Sequence, residues 1–347
     1  MSANYISTYV LSSTLRHSVM SGQTALSKAS TEATTGRFAD VGLDLGHSTG
    51  RDVAMRADLS FMDQIVDTNG LVVGRLDVTQ NRLEQLVKTA QDFLKNIIAA
   101  RDTDNGAGVV VPGASANLQD LIATLNLTYD GEYLFGGINT QNTPIASYAA
   151  GSTSKNAIDA AFAAAFGVSQ NSPAVINITA AQMQNFLNTG FVAEFASPAW
   201  GNNWSSASNQ VLSSRISTTE IANTSASAND PGFIKLAQAY TMMSDLGTAG
   251  MNKNAFQVVV DKAVSLVSEA VNDLALLQAS IGSAQQRVTT ATNKLKIQSD
   301  LLTQQVTGME KVDPAEASVR ISALQTQIET SLSLTARLQK ISLINYL

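Results

Sequence analysis

The chain of 347 residues contains no cysteine. Disulfides and thiolate metal sites are therefore excluded, and the absence suits a protein that works where stray thiols would oxidise. Aromatic residues are scarce, at 6%, which leaves few bulky anchors for a compact core. Charged residues make up only 14%, the net charge is −6, and no block of like charges occurs. That balance points neither to nucleic acid nor to an anionic membrane surface. No apolar run reaches the ~18 residues that a membrane span requires. The segment Met1 to Val10 lacks the basic start and unbroken apolar stretch of a secretory signal. If the protein is exported, the expected route reads no such signal.

What is present is long helical periodicity. One ladder reads Met55, Leu59, Met62, Val66, Asn69, Val73, Leu76, Gln80, Leu83, Val87, Ala90, Leu94, Ile97. A second reads Phe256, Val260, Ala263, Val267, Ala270, Leu274, Leu277, Ile281, Ala284, Val288, Ala291, Leu295, Gln298, Leu302. In both, steps of four and three alternate without a slip. A 3.5-residue apolar repeat held this long predicts two long helices wound on each other. At ~1.5 Å per residue each would run on the order of 70 Å. The apolar rungs are the expected seam of a helical rod. Asn69 and Gln80 inside it are expected to set register, and the alanine column to let helices pack closely.

Two further stripes flank the ladders. Ile6, Val10, Leu11, Leu15, Val19 and Leu26 lie at helical spacing near the N-terminus. Ile321, Leu324, Ile328, Leu332, Leu338, Ile341, Ile344 and Leu347 follow Asp313-Pro314-Ala315-Glu316, a cap, a first-turn proline and a capping-box glutamate. The two stripes are expected to pair with each other and to form the subunit interface, because an uncovered apolar stripe is disfavoured by ~25 cal/mol per Å². Between the ladders, residues 147–229 are rich in Ser, Asn, Ala and Thr and hold both tryptophans, Trp200 and Trp204. Short strands are expected at Val175–Ile178, Val211–Leu212 and Ile221, and a helix at Lys155–Phe166. Asp230-Pro231 restarts helix. The fold class read from this is mainly α. It is a long antiparallel helical rod or coiled coil with a small α+β, β-rich outer insertion. The expected division is 1–42 (inner helix and connector), 43–142 (first half of the rod), 143–229 (insertion), 230–310 (second half) and 311–347 (inner helix). The insertion is expected to be a side domain with its own core, removable without loss of the rest.

Few residues suggest chemistry. Gly46-His47-Ser48-Thr49-Gly50 fits the string of a nucleophile elbow, with Ser48 as the nucleophile of a remote hydrolase reading. That reading needs a strand before the serine and a histidine–acid pair, and the only other histidine is His17. Asp102, Asp104 and Asn105 depart from a calcium loop because Gly106 falls one position early. A helix-ending turn is the simpler reading. His17 and His47 have no partner at zinc spacing. Gly70 and Gly74 are read as a place where a neighbouring helix approaches closely. No catalytic, cofactor-binding or metal residue is assigned, and no cofactor is expected.

Four segments resemble the flagellin superfamily. Ala33-Thr-Thr-Gly-Arg37 resembles the short element after the family's N-terminal helix. Gly131-Glu-Tyr-Leu-Phe-Gly-Gly-Ile-Asn-Thr140 with Pro144 resembles its G-x-Y-[LI]-F-[AG]-G-x-x-T…P stretch. Asp313-Pro-Ala-Glu-Ala317 resembles the start of its last helix. Ile341-Ser-Leu-Ile-Asn-Tyr-Leu347 resembles the S-L-x-x-Y-L motif of the superfamily's hook–filament junction members more than a flagellin tail. The connector after Arg37 departs from the family's commoner polar stretch. The resemblance implies a non-enzymatic axial protein of the bacterial flagellum, exported through the flagellar type III channel. The implied partners are copies of itself, another hook-associated protein on the hook side, flagellin on the filament side, and an export chaperone on the C-terminal helix. Nucleic acid and membrane are not implied. A minor flagellin of the filament is the nearest alternative.

Overall fold

The computed structural model describes residues 8–103 and 105–344, with the side chains of all of these except 8, 9, 11 and 338–344. Ile6, Asp104 and Leu347 lie outside the described residues, as do the side chains of Leu11, Leu338, Ile341 and Ile344.

The described chain is mainly helical. In order it forms α1 (Thr8–Thr35), α2 (Val41–Leu45), α3 (Thr49–Ala100), α4 (Gly106–Leu125), a hairpin β1 (Thr128–Tyr129) and β2 (Glu132–Tyr133), then α5 (Thr153–Phe166), α6 (Ala180–Asn188), α7 (Gly190–Ala193) and α8 (Ala199–Asn203). A second hairpin, β3 (Ser213–Arg215) and β4 (Ile221–Asn223), is followed by α9 (Pro231–Asp245), α10 (Lys253–Glu310) and α11 (Pro314–Ile344). Helix α3 has 52 residues and α10 has 58. Rather than at connectors, the division falls within these two helices. One unit comprises residues 1–63 with 295–347, and the other 64–294.

In the larger unit, α3 and α10 run antiparallel. Asn69 Nδ2 donates to Thr292 Oγ1 at 2.9 Å, and Arg101 forms a two-pronged pair with Asp261 at 2.6 and 2.8 Å. The buried rungs of α3 in this unit are Ile65, Asn69, Val72, Leu76, Thr79, Leu83, Leu86, Ala90, Phe93, Ile97 and Ala100. The repeat of four and three holds, but every second rung sits one residue earlier than the sequence suggested. Val66, Val73, Gln80, Val87 and Leu94 are half-buried beside it. The apolar face is therefore a broad stripe of about three positions per heptad, which suits a helix with neighbours on two sides. On α10 the expected rungs from Phe256 to Leu295 are buried except Leu277, which is half-buried. Gln298 is exposed and Leu302 half-buried.

Helices α4 and α9 pack together in the same unit, and Phe93 of α3 meets Tyr240 of α9 edge to face with centroids 5.0 Å apart. Asp230 caps α9 through Gly232 N–H at 3.0 Å, with Pro231 in the first turn. Gly74 lies against the phenol of Tyr129 rather than against a helix, while Gly70 has open space beside it. Gly232 is the tighter constraint. A β-carbon there would lie 2.9 Å from Leu274 Cγ and Cδ2 and 3.2 Å from its backbone nitrogen. Alanine in a helix is usually favoured over glycine by ~0.5–1 kcal/mol. Here overpacking, worth ~1–3 kcal/mol, should outweigh that gain. Gly232→Ala is expected to lower the calorimetric melting temperature of this unit by a few degrees. A rise would mean that Leu274 yields freely.

The insertion is α+β, with helices α5 to α8 taking more of it than the β3–β4 hairpin. Val175–Ile178 was expected as strand, but Pro173–Asn177 forms a 3-10 turn capped by the Ser172 side chain. The insertion does not have a core of its own. One continuous buried cluster joins Ile158, Phe162, Met183, Phe186, Trp200 and Trp204 to Phe135, Phe233, Leu236 and Val260. Trp204 stacks between Tyr148 and Trp200 at 5.1 and 5.6 Å.

Candidate assembly interface

The smaller unit contains both terminal helices. α1 and α11 run antiparallel. Gly22 faces Ile328, whose Cγ1 would lie 3.0 Å from a β-carbon placed there, and Glu32 pairs with Arg320. Small residues allow this approach: Gly22, Ala29 and Ala317 are buried in it. The stripe residues are much less covered. Leu15, Val19, Leu26, Ile321, Leu324 and Ile328 are half-buried, Val10 is 55% exposed and Leu332 is 50% exposed. Further apolar side chains point away from the pair, including Met20 at 64% and Val319 at 70% exposed. Two helices can shield only one edge each, so part of the apolar surface of this pair, Val10, Met20, Val319 and Leu332 included, stays in water, where it favours burial by further helices.

At the base of the pair lies a set of charged groups that sequence patterning did not single out. Glu310, the last residue of α10, has a fully buried side chain that accepts hydrogen bonds from Arg37 and from Arg56. Asp52, also buried, accepts from Arg56 Nε at 3.1 Å. Buried Glu32 accepts from Arg320 at 3.2 Å and from the Ala39 N–H at 3.3 Å. The backbone closes the same junction. Phe38 N–H donates to Glu310 O at 3.0 Å, and Val312 N–H to Gly36 O at 2.9 Å. Gly36 holds a positive φ of 69° at this crossing, a conformation that side-chain-bearing residues rarely adopt. Asp313 caps α11 through Ala315 N–H at 2.8 Å. Only the Thr35-Gly36-Arg37 string hinted at this cluster.

The other motifs weighed for chemistry fall elsewhere. Gly46–Ser48 is a 3-10 turn that runs from α2 into α3, so a helix and not a strand precedes Ser48. The strained strand-to-helix turn of a nucleophile elbow is not formed. His17, on α1, and His47, in the turn, are both exposed. Among the described residues no three His, Asp or Glu side chains group as a metal site, and no helix is long and apolar enough to cross a membrane.

The bacterial flagellin N-terminal helical region matches residues 6–140, and the bacterial flagellin C-terminal helical region matches residues 264–347. No curated protein matches the chain. The first match takes in α1, the whole path to β2, and the glycine-rich turn after it. The second takes in most of α10 and all of α11. With both regions in the family's order, spanning well over half the sequence, the chain belongs to the flagellin superfamily and is a structural, non-catalytic protein of the self-assembling flagellar filament system.

Proposed function

We propose that the chain joins the hook region to the flagellin filament, as a junction-type hook-associated protein rather than as a filament flagellin. The observation that carries this is the Ser342-Leu-Ile-Asn-Tyr346-Leu347 motif, which resembles the junction members of the superfamily. The half-exposed stripes of α1 and α11 support axial assembly in either case. Under this reading they pack against copies of the chain, against another hook-associated protein on one side and against flagellin on the other. The C-terminal helix is held by a chaperone until export through the flagellar type III channel. The superfamily supports an extracellular, secreted protein; the junction is the finer assignment. The second reading, a minor flagellin, shares the stripes and differs in position and copy number.

Immunogold labelling of flagella separates the two. The expected result is a single band of label where hook and filament meet. Label along the whole filament would establish the minor flagellin instead.

A further inference from the structure

We propose that the buried Glu310 carboxylate is a latch that fixes the joint between the terminal helix pair and the adjoining ends of α3 and α10. The joint itself is short. α10 ends at Glu310 and α11 starts at Pro314, with only Lys311, Val312 and Asp313 between them. On the other strand of the crossing, α1 ends at Thr35 and α2 begins at Val41. The two backbone hydrogen bonds between these breaks tie them at one point, but the crossing angle about that point would stay free if only apolar contacts surrounded it, because half-buried apolar side chains slide between packings at little cost.

The charged groups remove that freedom. Each oxygen of Glu310 is engaged by a different arginine, one from the connector and one from α3. Arg56 is also held by Asp52 on its own helix, so moving Glu310 away would leave Arg56 with Asp52 and the buried Glu310 carboxylate without its partner on α3. Charge-assisted pairs of this kind are directional, and although the two arginine side chains are part-exposed, the Glu310 side chain is fully buried, so breaking them leaves its charge without a partner. The Glu32–Arg320 pair adds a second tie, between α1 and α11, beside the first. Such a set has one satisfied register, whereas an apolar joint has many. The orientation in which α1 and α11 leave the subunit is therefore set by Glu310. This holds wherever in the flagellum the subunit sits, so it does not depend on the junction assignment.

The cysteine-free chain makes the test direct. Spin labels are attached at Ser27→Cys on α1 and Ser60→Cys on α3, both exposed positions. Pulsed electron spin resonance then reads their distance distribution in the full-length monomer. The parent is expected to give one narrow distribution. Glu310→Gln, which keeps the shape and removes the charge, is expected to at least double its width while circular dichroism shows unchanged helix content. A width equal to the parent's, with helix content intact, overturns the latch. Should Glu310→Gln lose helix, Arg37→Gln decides, since it removes only the arm whose side chain is 48% exposed. Broadening at full helix content then supports the proposal, and a parent-like width overturns it.

Discussion

Replacing residues 148–229 with a short Gly/Ser bridge is expected to abolish cooperative folding of the 64–294 unit. On the sequence alone this segment reads as a detachable side domain, since loop closure costs grow slowly with length. The buried cluster overturns that reading. Phe162, Phe186, Phe191, Phe195, Trp200 and Trp204 are all buried in the core that also holds Phe233 and Val260. Truncating a single buried Phe or Trp costs ~3–5 kcal/mol. Losing six exceeds the ~5–15 kcal/mol that a whole domain has to spare. Polar ties are lost as well. Lys155 Nζ reaches Asp245 at 2.8 and 3.0 Å, and Asn252 Nδ2 donates to Ile176 O and Ile178 O at 2.9 and 2.7 Å. Burial pulls the Lys155 ammonium down, but hydrogen bonds from it to Asp159 and Asp245 outweigh this and hold its pKa above the usual lysine range. Burial, with Asp245 alongside, raises that of Tyr148. Calorimetry should show no sharp transition in the deletion variant, and near-ultraviolet circular dichroism should flatten. A deletion variant that is secreted and melts like the parent would restore the side-domain reading.

Leu324→Asp and Ile328→Asp are expected to abolish assembly and swimming while leaving the melting of the 64–294 unit unchanged. Both residues belong to the smaller unit, both are half-buried in the isolated chain, and Ile328 lies over Gly22. In an assembly they would become fully buried, and a buried unpaired carboxylate costs several kcal/mol at each site. The penalty recurs in every copy, so it accumulates along an axial structure. Normal swimming would show that this stripe does not face other subunits. A fall in the melting temperature of the larger unit would show that the substitution acts through the fold and not through assembly.

The long helices were legible because a repeat of four and three over some fifty residues admits few other structures. The rung assignment was less so. Apolar residues occur at both 65 and 66, at 72 and 73, and at 86 and 87, and periodicity fixes the stripe but not its centre. The structure buries Ile65, Val72 and Leu86 and leaves Val66, Val73 and Val87 at the margin. The caps at Asp230 and Asp313 were legible because their chemistry is local. What escaped was non-local. Val175 and Ile176 look like strand by side-chain type, but the chain there turns against Asn252, a partner far along the sequence. Glu310 looks like an ordinary helix-end charge, and its two arginines stand 254 and 273 residues away. No spacing rule connects them.

The central claim is that α1 and α11 are completed by other copies. Hydrogen–deuterium exchange of the full chain, compared between dilute monomer and purified flagella, tests it most directly. Exposed, weakly packed helices open at little cost in free energy, whereas the core of a unit opens only near its global stability. In the monomer, amides of residues 8–20 and 328–337, the ends of the pair away from the Glu310 joint, are expected to exchange rapidly while those of α4, α9 and the middle of α10 stay protected. In flagella the terminal segments are expected to slow by several orders of magnitude and the core to change little. Segments 8–20 and 328–337 already protected in dilute monomer, or still unprotected in the assembled state, would contradict the account.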